Sequence, residues 1–242
     1  MNLIIEQGNT LSKVALYDEG QMIESFVFEV LDVQAVTPLL DKYGLTRGIM
    51  SSVICPNEEL IFFLKSRIDN FIFLDENTLV PVKVEYESRN TLGNDRLAAA
   101  VGASYLAPGK DVLVIDAGTA ITYEFVTSNG VYLGGNISPG MTTRFKALSH
   151  YTERLPLTFE TDDIPDVGHN TISAIRAGVV KGITYEMDGY ISDCKEKHPS
   201  LLVFLTGGHS NYFERRLKNS IFADINLVLA GLNRILEYNV KN

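Results

Sequence analysis

The sequence predicts an α/β protein built as two similar lobes with a cleft between them, and three observations predict it. The chain repeats itself. Leu3-Ile4-Ile5-Glu6-Gln7-Gly8-Asn9-Thr10 returns as Leu113-Val114-Ile115-Asp116-Ala117-Gly118-Thr119-Ala120, and the same offset carries Gly20 onto Gly130. Each copy is an apolar, β-branched run closed by a carboxylate, a spacer, a glycine and a small polar residue, which reads as a buried strand entering a hairpin turn. After an initial meander, strand patterns alternate with helical ones. Division near the start of the second copy gives an N-terminal lobe over 1–110 and a C-terminal lobe over 111–242, within the usual size of domains.

The elements follow in order. Residues 3–8, 13–17 and 22–29 read as strands, with turns around Asn9 and at Asp18-Glu19-Gly20. A helix is expected over 34–43, with Pro38 near its start. Gly48–Ile54 reads as a buried strand stopped by Cys55-Pro56, 57–69 as a short helix and 71–74 as a strand. Residues 92–107 form a helix rich in small side chains, which lets another backbone come close. The repeated strand opens the second half, with a hairpin at 123–133, a Gly-rich turn and a helix near 141–149. The longest helical pattern spans 170–195, a buried strand covers 201–206, and an amphipathic helix closes the chain over 225–238.

Apolar residues make up 45% and charged residues 21%, enough to bury a full core. The net charge of −9 comes with no basic stripe, which argues against nucleic-acid binding and means an anionic nucleotide must be met by a metal or by backbone dipoles. Cys55 and Cys194 share no metal-ligand spacing and read as thiols in a reducing compartment. Residues 1–5 lack a basic n-region, and no apolar stretch approaches the ~18 residues of a membrane span. A cytoplasmic protein without membrane contact is expected.

Four glycine-marked clusters carry the chemistry, at 6–13, 93–96, 116–119 and 134–140. No segment fits a P-loop, and the glycine spacing of 134–140 is not that of a Rossmann turn. A carboxylate at a strand end can hold a divalent cation, and the following glycine lets backbone N–H groups approach an anion. Thr10 and Ser12 can give hydroxyls to phosphate oxygens or satisfy the turn. Lys13 either reaches a phosphate or is a solvated edge lysine. Gly93-Asn94-Asp95-Arg96 stands where a loop becomes a helix. Asn94 or Asp95 can cap that helix, but Arg96 opposes its dipole and calls for an anionic partner. An Asp that takes a proton beside an Arg that binds a carboxylate suits an acidic alcohol substrate. Thr206-Gly207-Gly208 after a buried strand suits close approach by a flat ring such as adenine, or is simply a tight turn. Thr171 reads as a helix cap beside Asn170. His150, His169, His198 and His209 have no metal spacing and no nucleophile partner, so they receive no role.

The repeated acid–glycine turns resemble the ground plan of the actin, Hsp70 and sugar-kinase superfamily. The ordered clusters more closely resemble type III pantothenate kinases from residue 3 to about 208. The family's Asp-x-Gly-Asn-Thr and following Lys look like Glu6 to Lys13, and its Gly-x-Asp-Arg like Gly93 to Arg96. Its Asp-x-Gly-Thr-Ala looks like Asp116 to Ala120. Its Gly-Gly-x-Ile-x-Pro-Gly looks like Gly134 to Gly140, and Thr152 to Pro156 matches the segment after it. The resemblance implies two ribonuclease H-like lobes of the actin-like ATPase fold. It also implies ATP-dependent phosphorylation of pantothenate to 4′-phosphopantothenate, the first step of coenzyme A synthesis.

By the same resemblance, Glu6, Gln7, Gly8, Asn9, Thr10, Leu11, Ser12 and Lys13 would hold the ATP phosphates with Mg²⁺, and Thr119 would contact ATP. Asp95 would be the catalytic base. Tyr86, Gly93, Asn94, Asp95 and Arg96 would bind pantothenate, with Thr171 reaching it from the partner subunit of a homodimer with shared active sites. Asp116 would ligate a monovalent cation, K⁺ or NH₄⁺, and Glu6 the divalent ion. Glu6 and Glu124 stand where the family usually has Asp, and the extra methylene moves a carboxylate by about 1.5 Å. Two rival readings remain: a kinase of the same superfamily acting on another small molecule, and a non-catalytic relative serving as a transcriptional accessory factor.

Overall fold

The computed structural model describes residues 1–55 and 57–241, so the expectation that Pro56 helps stop a strand lies outside the described residues. The chain divides into two compact units. The first comprises Met1–Gly109, Val126–Gly134 and Asn226–Asn242; the second comprises Lys110–Phe125 and Gly135–Ile225.

In the first unit, β1 (Asn2–Gln7), β2 (Ser12–Asp18) and β3 (Gln21–Phe28) form an antiparallel meander. The turn at Glu19-Gly20 has φ of 47° and 80°, the left-handed pair a tight two-residue hairpin needs. Helix α1 (Val33–Lys42) is capped by Asp32, whose carboxylate accepts from Ala35 N at 2.8 Å, and leads to β4 (Arg47–Ser52), parallel to β1. Helix α2 (Glu58–Arg67) has Asn57 as cap, acids in its first turn and bases in its last, matching its dipole. Strand β5 (Asn70–Phe73) completes a sheet ordered β3-β2-β1-β4-β5.

Helix α3 (Asn94–Leu106) packs on α7 (Leu227–Lys241), the chain's last helix. Glycines make this crossing possible: a Cβ on Gly231 would stand 1.8 Å from Ala98 O, and one on Gly102 2.4 Å from Leu227 O. The buried Asn2 Nδ2 donates to Asn233 Oδ1 at 2.9 Å, tying β1 to the same helix.

The second unit repeats the plan. Strands β7 (Val112–Ala117), β8 (Ala120–Val126) and β9 (Val131–Pro139) are followed by α4 (Met141–His150) and α5 (Thr171–Lys197), then β10 (Leu202–Thr206), α6 (Ser210–Glu214) and β11 (Phe222–Ala223). The sheet runs β11-β10-β7-β8-β9, with the two-residue β6 (Lys83–Val84) added beside β9. Read backwards, β9-β8-β7-β10-β11 has the order of β3-β2-β1-β4-β5. The repeat in sequence is therefore a repeat in topology. Strands β1 and β7 even share a burial pattern, in which only Glu6 and Asp116 are less than fully buried.

One expectation needs correction. Gly134–Pro139 is not a turn but the second half of β9. The glycines are there for contact: a Cβ on Gly135 would lie 1.5 Å from Tyr123 O on β8, so only glycine lets the strand pass.

Candidate active site

In the first unit, β1 carries Glu6 at the C-terminal end of the central strand and the chain turns through Gly8–Leu11, closed by Gly8 N donating to Leu11 O at 3.1 Å. Asn9, Thr10 and Leu11 are exposed, whereas Gln7 and Ser12 are buried. Gln7 Oε1 accepts from Ser52 Oγ at 3.0 Å, which pins the turn to β4. A cavity of about 170 Å³ opens here, lined by residues 7–12 with Glu29, Val30, Leu31 and Ile54.

Glu6 carries the informative electrostatics. Its Oε2 is shielded from solvent and has no hydrogen-bond partner; Lys13 Nζ stands 3.8 Å away. Burial pushes its carboxyl above the ordinary glutamate range, against the pull of Lys13, and the negative charge of Asp95 raises it further. Two acids from distant parts of the chain thus sit close enough to feel each other. Among the described residues, no group of three or more His, Cys, Asp and Glu could hold a metal alone. An orphaned carboxylate oxygen beside one lysine still fits a divalent ion that takes its other ligands from phosphate and water.

Asp95 lies in the first turn of α3, and Gly93, not Asn94 or Asp95, is the residue before the helix. The capping expectation therefore fails. Asn94 Nδ2 instead donates to Leu74 O at 2.8 Å, locking the helix start to the end of β5, and Asp95 Oδ1 accepts from Arg96 N. Gly93 leaves room for that carboxylate, since a Cβ there would stand 2.6 Å from Asp95 Oδ1. The buried Arg96 places its guanidinium 5.5 Å from the Tyr86 ring centroid, and Tyr86 packs 6.3 Å from Tyr132. Sequence reasoning missed Arg89: both Nη atoms are shielded and without a hydrogen bond, and burial lowers its pKa. A single arginine in a short 3₁₀ turn (Arg89–Thr91) carries no pattern that would have flagged it.

In the second unit the matching turn presents Thr119 at the surface, with Gly118 N donating to Ala120 O at 3.0 Å. The Thr119 carbonyl accepts from Gly140 N at 3.0 Å and Thr143 Oγ1 at 2.7 Å. Gly140 is confined there: a Cβ would stand 2.1 Å from Gly118 O. Gly207, with φ of +93°, is confined likewise: a Cβ there would stand 2.3 Å from Asp116 Oδ1. Glu124 is fully buried on β8.

Behind this turn, Glu186 of α5 gathers three donors: Tyr123 Oη at 2.7 Å, Ser138 Oγ at 2.5 Å and Arg144 Nη2 at 2.5 Å. Burial would raise its pKa, but the three hydrogen bonds outweigh burial and hold it below the ordinary range. Burial and this carboxylate push the Tyr123 phenol upward.

Thr171 is the first residue of α5, not its cap. Asn170 caps, in a reciprocal box with Ser173. Freed from capping, Thr171 lines a largely apolar groove of about 750 Å³ with Arg144, Leu148, Leu155, Ile175 and Val179.

Two α/β units of like topology, each carrying a carboxylate and a glycine turn at the end of its first strand, define the actin-like ATPase and sugar-kinase fold. Solved structures agree on the fold. A ROK family glucokinase from Streptomyces griseus, in complex with glucose and AMPPNP, matches at TM-score 0.52 and 13% identity over 100% of this chain and 99% of that one. A Campylobacter jejuni structure named for a Baf family transcriptional activator matches at TM-score 0.63 and 26% identity, over 99% and 100%. The type III pantothenate kinase family model matches residues 2–193. Type III pantothenate kinases from Phocaeicola vulgatus (48% identity, 100% of both chains) and Bacteroides fragilis (51%, 99% of this chain and 98% of that one) match throughout. This chain belongs to the type III pantothenate kinase family.

Proposed function

We propose that this protein phosphorylates pantothenate with ATP, giving 4′-phosphopantothenate for coenzyme A synthesis. Family membership supports the activity, and the observation that bears on the mechanism is the Glu6 carboxylate, whose Oε2 is shielded and without a hydrogen bond 3.8 Å from Lys13, in the same unit as Asp95. Asp95 takes the proton from the pantothenate hydroxyl as that oxygen bonds the γ-phosphorus and the bond to the β-phosphate oxygen breaks, releasing ADP. Arg96 and Tyr86 receive the acceptor, with Gly93 and Asn94 shaping its floor. Phosphoryl transfer asks a protein mainly for alignment and charge neutralisation.

The turn from Glu6 to Lys13 holds the phosphates, Glu6 ligates the divalent ion, Thr119 contacts ATP, and Asp116 holds K⁺ or NH₄⁺. The metal ions supply positive charge that a chain of net charge −9 lacks. A homodimer in which Thr171 serves the partner's site, working in the cytoplasm without nucleic acid, completes the reading. Among the described residues no helix is long and apolar enough to cross a membrane.

The test is ADP release with ATP, Mg²⁺ and pantothenate in K⁺ against Na⁺ buffer. Pantothenate-dependent release that requires K⁺ is expected, and Asp95→Asn should lower turnover by roughly 10²–10⁴-fold. Release with another acceptor alone would favour a different small-molecule kinase. The likeness to the Baf-named structure keeps one rival, a regulatory relative, in play; folded protein with no turnover in either buffer would favour it.

A further inference from the structure

We propose that Glu160 and His209 read the base of the nucleotide and select a 6-aminopurine over a 6-oxopurine; this rests on the ATP-kinase reading above. The candidate base site begins at the end of β10. Gly207 is pressed against the Asp116 carboxylate, and beyond it a Cβ on Gly208 would meet nothing within 4 Å, so open space begins there. The next residue, His209, donates its backbone N–H to Ala117 O at 3.0 Å, which ties the loop to the strand end that carries Gly118 and Thr119. A flat group lying over Gly208 therefore belongs to the same nucleotide that the Thr119 turn contacts.

Glu160 comes from the connection between α4 and α5. Its Oε1 stands 3.8 Å from His209 Nε2, within ion-pair reach but too far for a hydrogen bond. The other atoms, Glu160 Oε2 and His209 Nδ1, are shielded from solvent and have no hydrogen-bond partner. Buried polar groups are nearly always satisfied, so an unsatisfied atom on each of two side chains that face each other through Oε1 and Nε2 calls for a ligand or a bound water.

The surrounding backbone is braced on both sides of Glu160. Arg176 Nε donates to Phe159 O at 2.8 Å, Tyr212 Oη to Thr161 O at 2.7 Å, and Arg216 Nη2 to Asp162 O at 2.9 Å, with the Arg216 guanidinium 3.6 Å from the Tyr212 ring centroid. The loop is fixed, while the side chain it carries is left without a hydrogen bond. That arrangement suits a preorganised recognition group better than a slack surface acid.

Adenine offers the matching edge. Its 6-amino group donates to a carboxylate, and an adjacent ring nitrogen accepts from an imidazole N–H. Hypoxanthine places a carbonyl oxygen at position 6, so two acceptors would face each other. A site built to hydrogen-bond a substrate N–H discriminates strongly against the analogue lacking it.

The experiment compares MgATP with MgITP in pantothenate-dependent turnover for wild type, Glu160→Ala and Glu160→Gln. Wild type should prefer ATP by about 10–100-fold in kcat/KM, below the full range because both side chains keep some solvent exposure. Glu160→Ala should raise the KM for ATP, leave kcat and the KM for pantothenate unchanged, and bring the ATP-to-ITP ratio close to one. Glu160→Gln, whose amide can donate to a 6-oxo group, should improve ITP use outright, an effect no structural role predicts. Equal use of ATP and ITP by wild type overturns the proposal, as does an equal loss for both nucleotides in the variants; a bridging water would give that pattern. Absence of turnover by wild type would count against the kinase reading alone, because calorimetric ATP and ITP affinities of the same three proteins report the preference independently, and equal affinities overturn it.

Discussion

Glu6 stands under two opposed demands. Its folded pKa is raised, so the folded state holds a proton that the unfolded chain releases between the ordinary glutamate pKa and the raised one. Stability falls as pH rises through that window and stays reduced above it. Glu6→Gln removes the burden and should melt at a higher temperature than wild type at pH 7, with the difference vanishing below about pH 4, where wild-type Glu6 is protonated in the folded and unfolded chain alike. The same variant should lose divalent-dependent ATP binding. In wild type, protonation of Glu6 should weaken MgATP binding on the acid side, at a pH above the range of a free glutamate, and that limb should be missing from Glu6→Gln. Calorimetric melting across pH, with nucleotide titrations, checks both. Equal melting temperatures at neutral pH would reject burial as the dominant influence on Glu6. A destabilising group kept at a strand end is the usual signature of function overriding stability.

At the scale of elements, the crossing of α3 and α7 and the Glu186 network make separate predictions. Gly231→Ala would put a methyl group where the Ala98 carbonyl already stands, and a backbone atom cannot swing aside. A loss of roughly 1–3 kcal/mol is expected, read as a lower denaturation midpoint with an unchanged KM for ATP. Glu186→Gln should behave differently. It weakens charge-assisted bonds from Arg144, Ser138 and Tyr123, and through Pro139 O, which accepts from Arg144 Nε at 2.8 Å, it loosens Gly140 beneath Thr119. The KM for ATP should rise while that for pantothenate holds. Because the folded pKa of Glu186 is lowered, its stabilisation is present above the unfolded value and lost as pH falls through the folded one, so the variant should flatten the acid limb of the stability curve.

Much of this scale was legible beforehand. Apolar periodicity located α5 and the buried strands, because burial selects their residues one by one. The short β6, β11 and α6 were not, since two to five residues carry no period. The course of Gly134–Pro139 was hidden for another reason: glycine spacing marks close approach, but it does not say whether a turn or a neighbouring strand does the approaching.

At the scale of the whole molecule, the repeat announced two like units, while the way the chain is shared between them was not written locally. Helix α7 reads as a generic amphipathic closure; only the small residues of α3, which admit its backbone, determine where it packs. In the sequence the candidate residues stand out where a carboxylate before a glycine recurs at a fixed offset, as at Glu6 and Asp116, or where an Asp adjoins an Arg at a helix start, as at Asp95. Arg89 and Glu160 were invisible because their isolation from hydrogen-bond partners exists only after folding.

The same distinction bears on Thr171, which is exposed at the start of α5 beside an apolar groove. If Thr171 completes the partner's site, activity is a property of the pair, and two inactive chains should rescue each other. Coexpressing Asp95→Asn with Thr171→Lys makes mixed dimers in which one site collects both lesions and the other has neither. With random pairing, half the dimers are mixed and each has one intact site, so about a quarter of wild-type activity should return from two nearly silent parents. Sites complete within one chain would instead give only the mean of the parents, and the groove would then need another occupant.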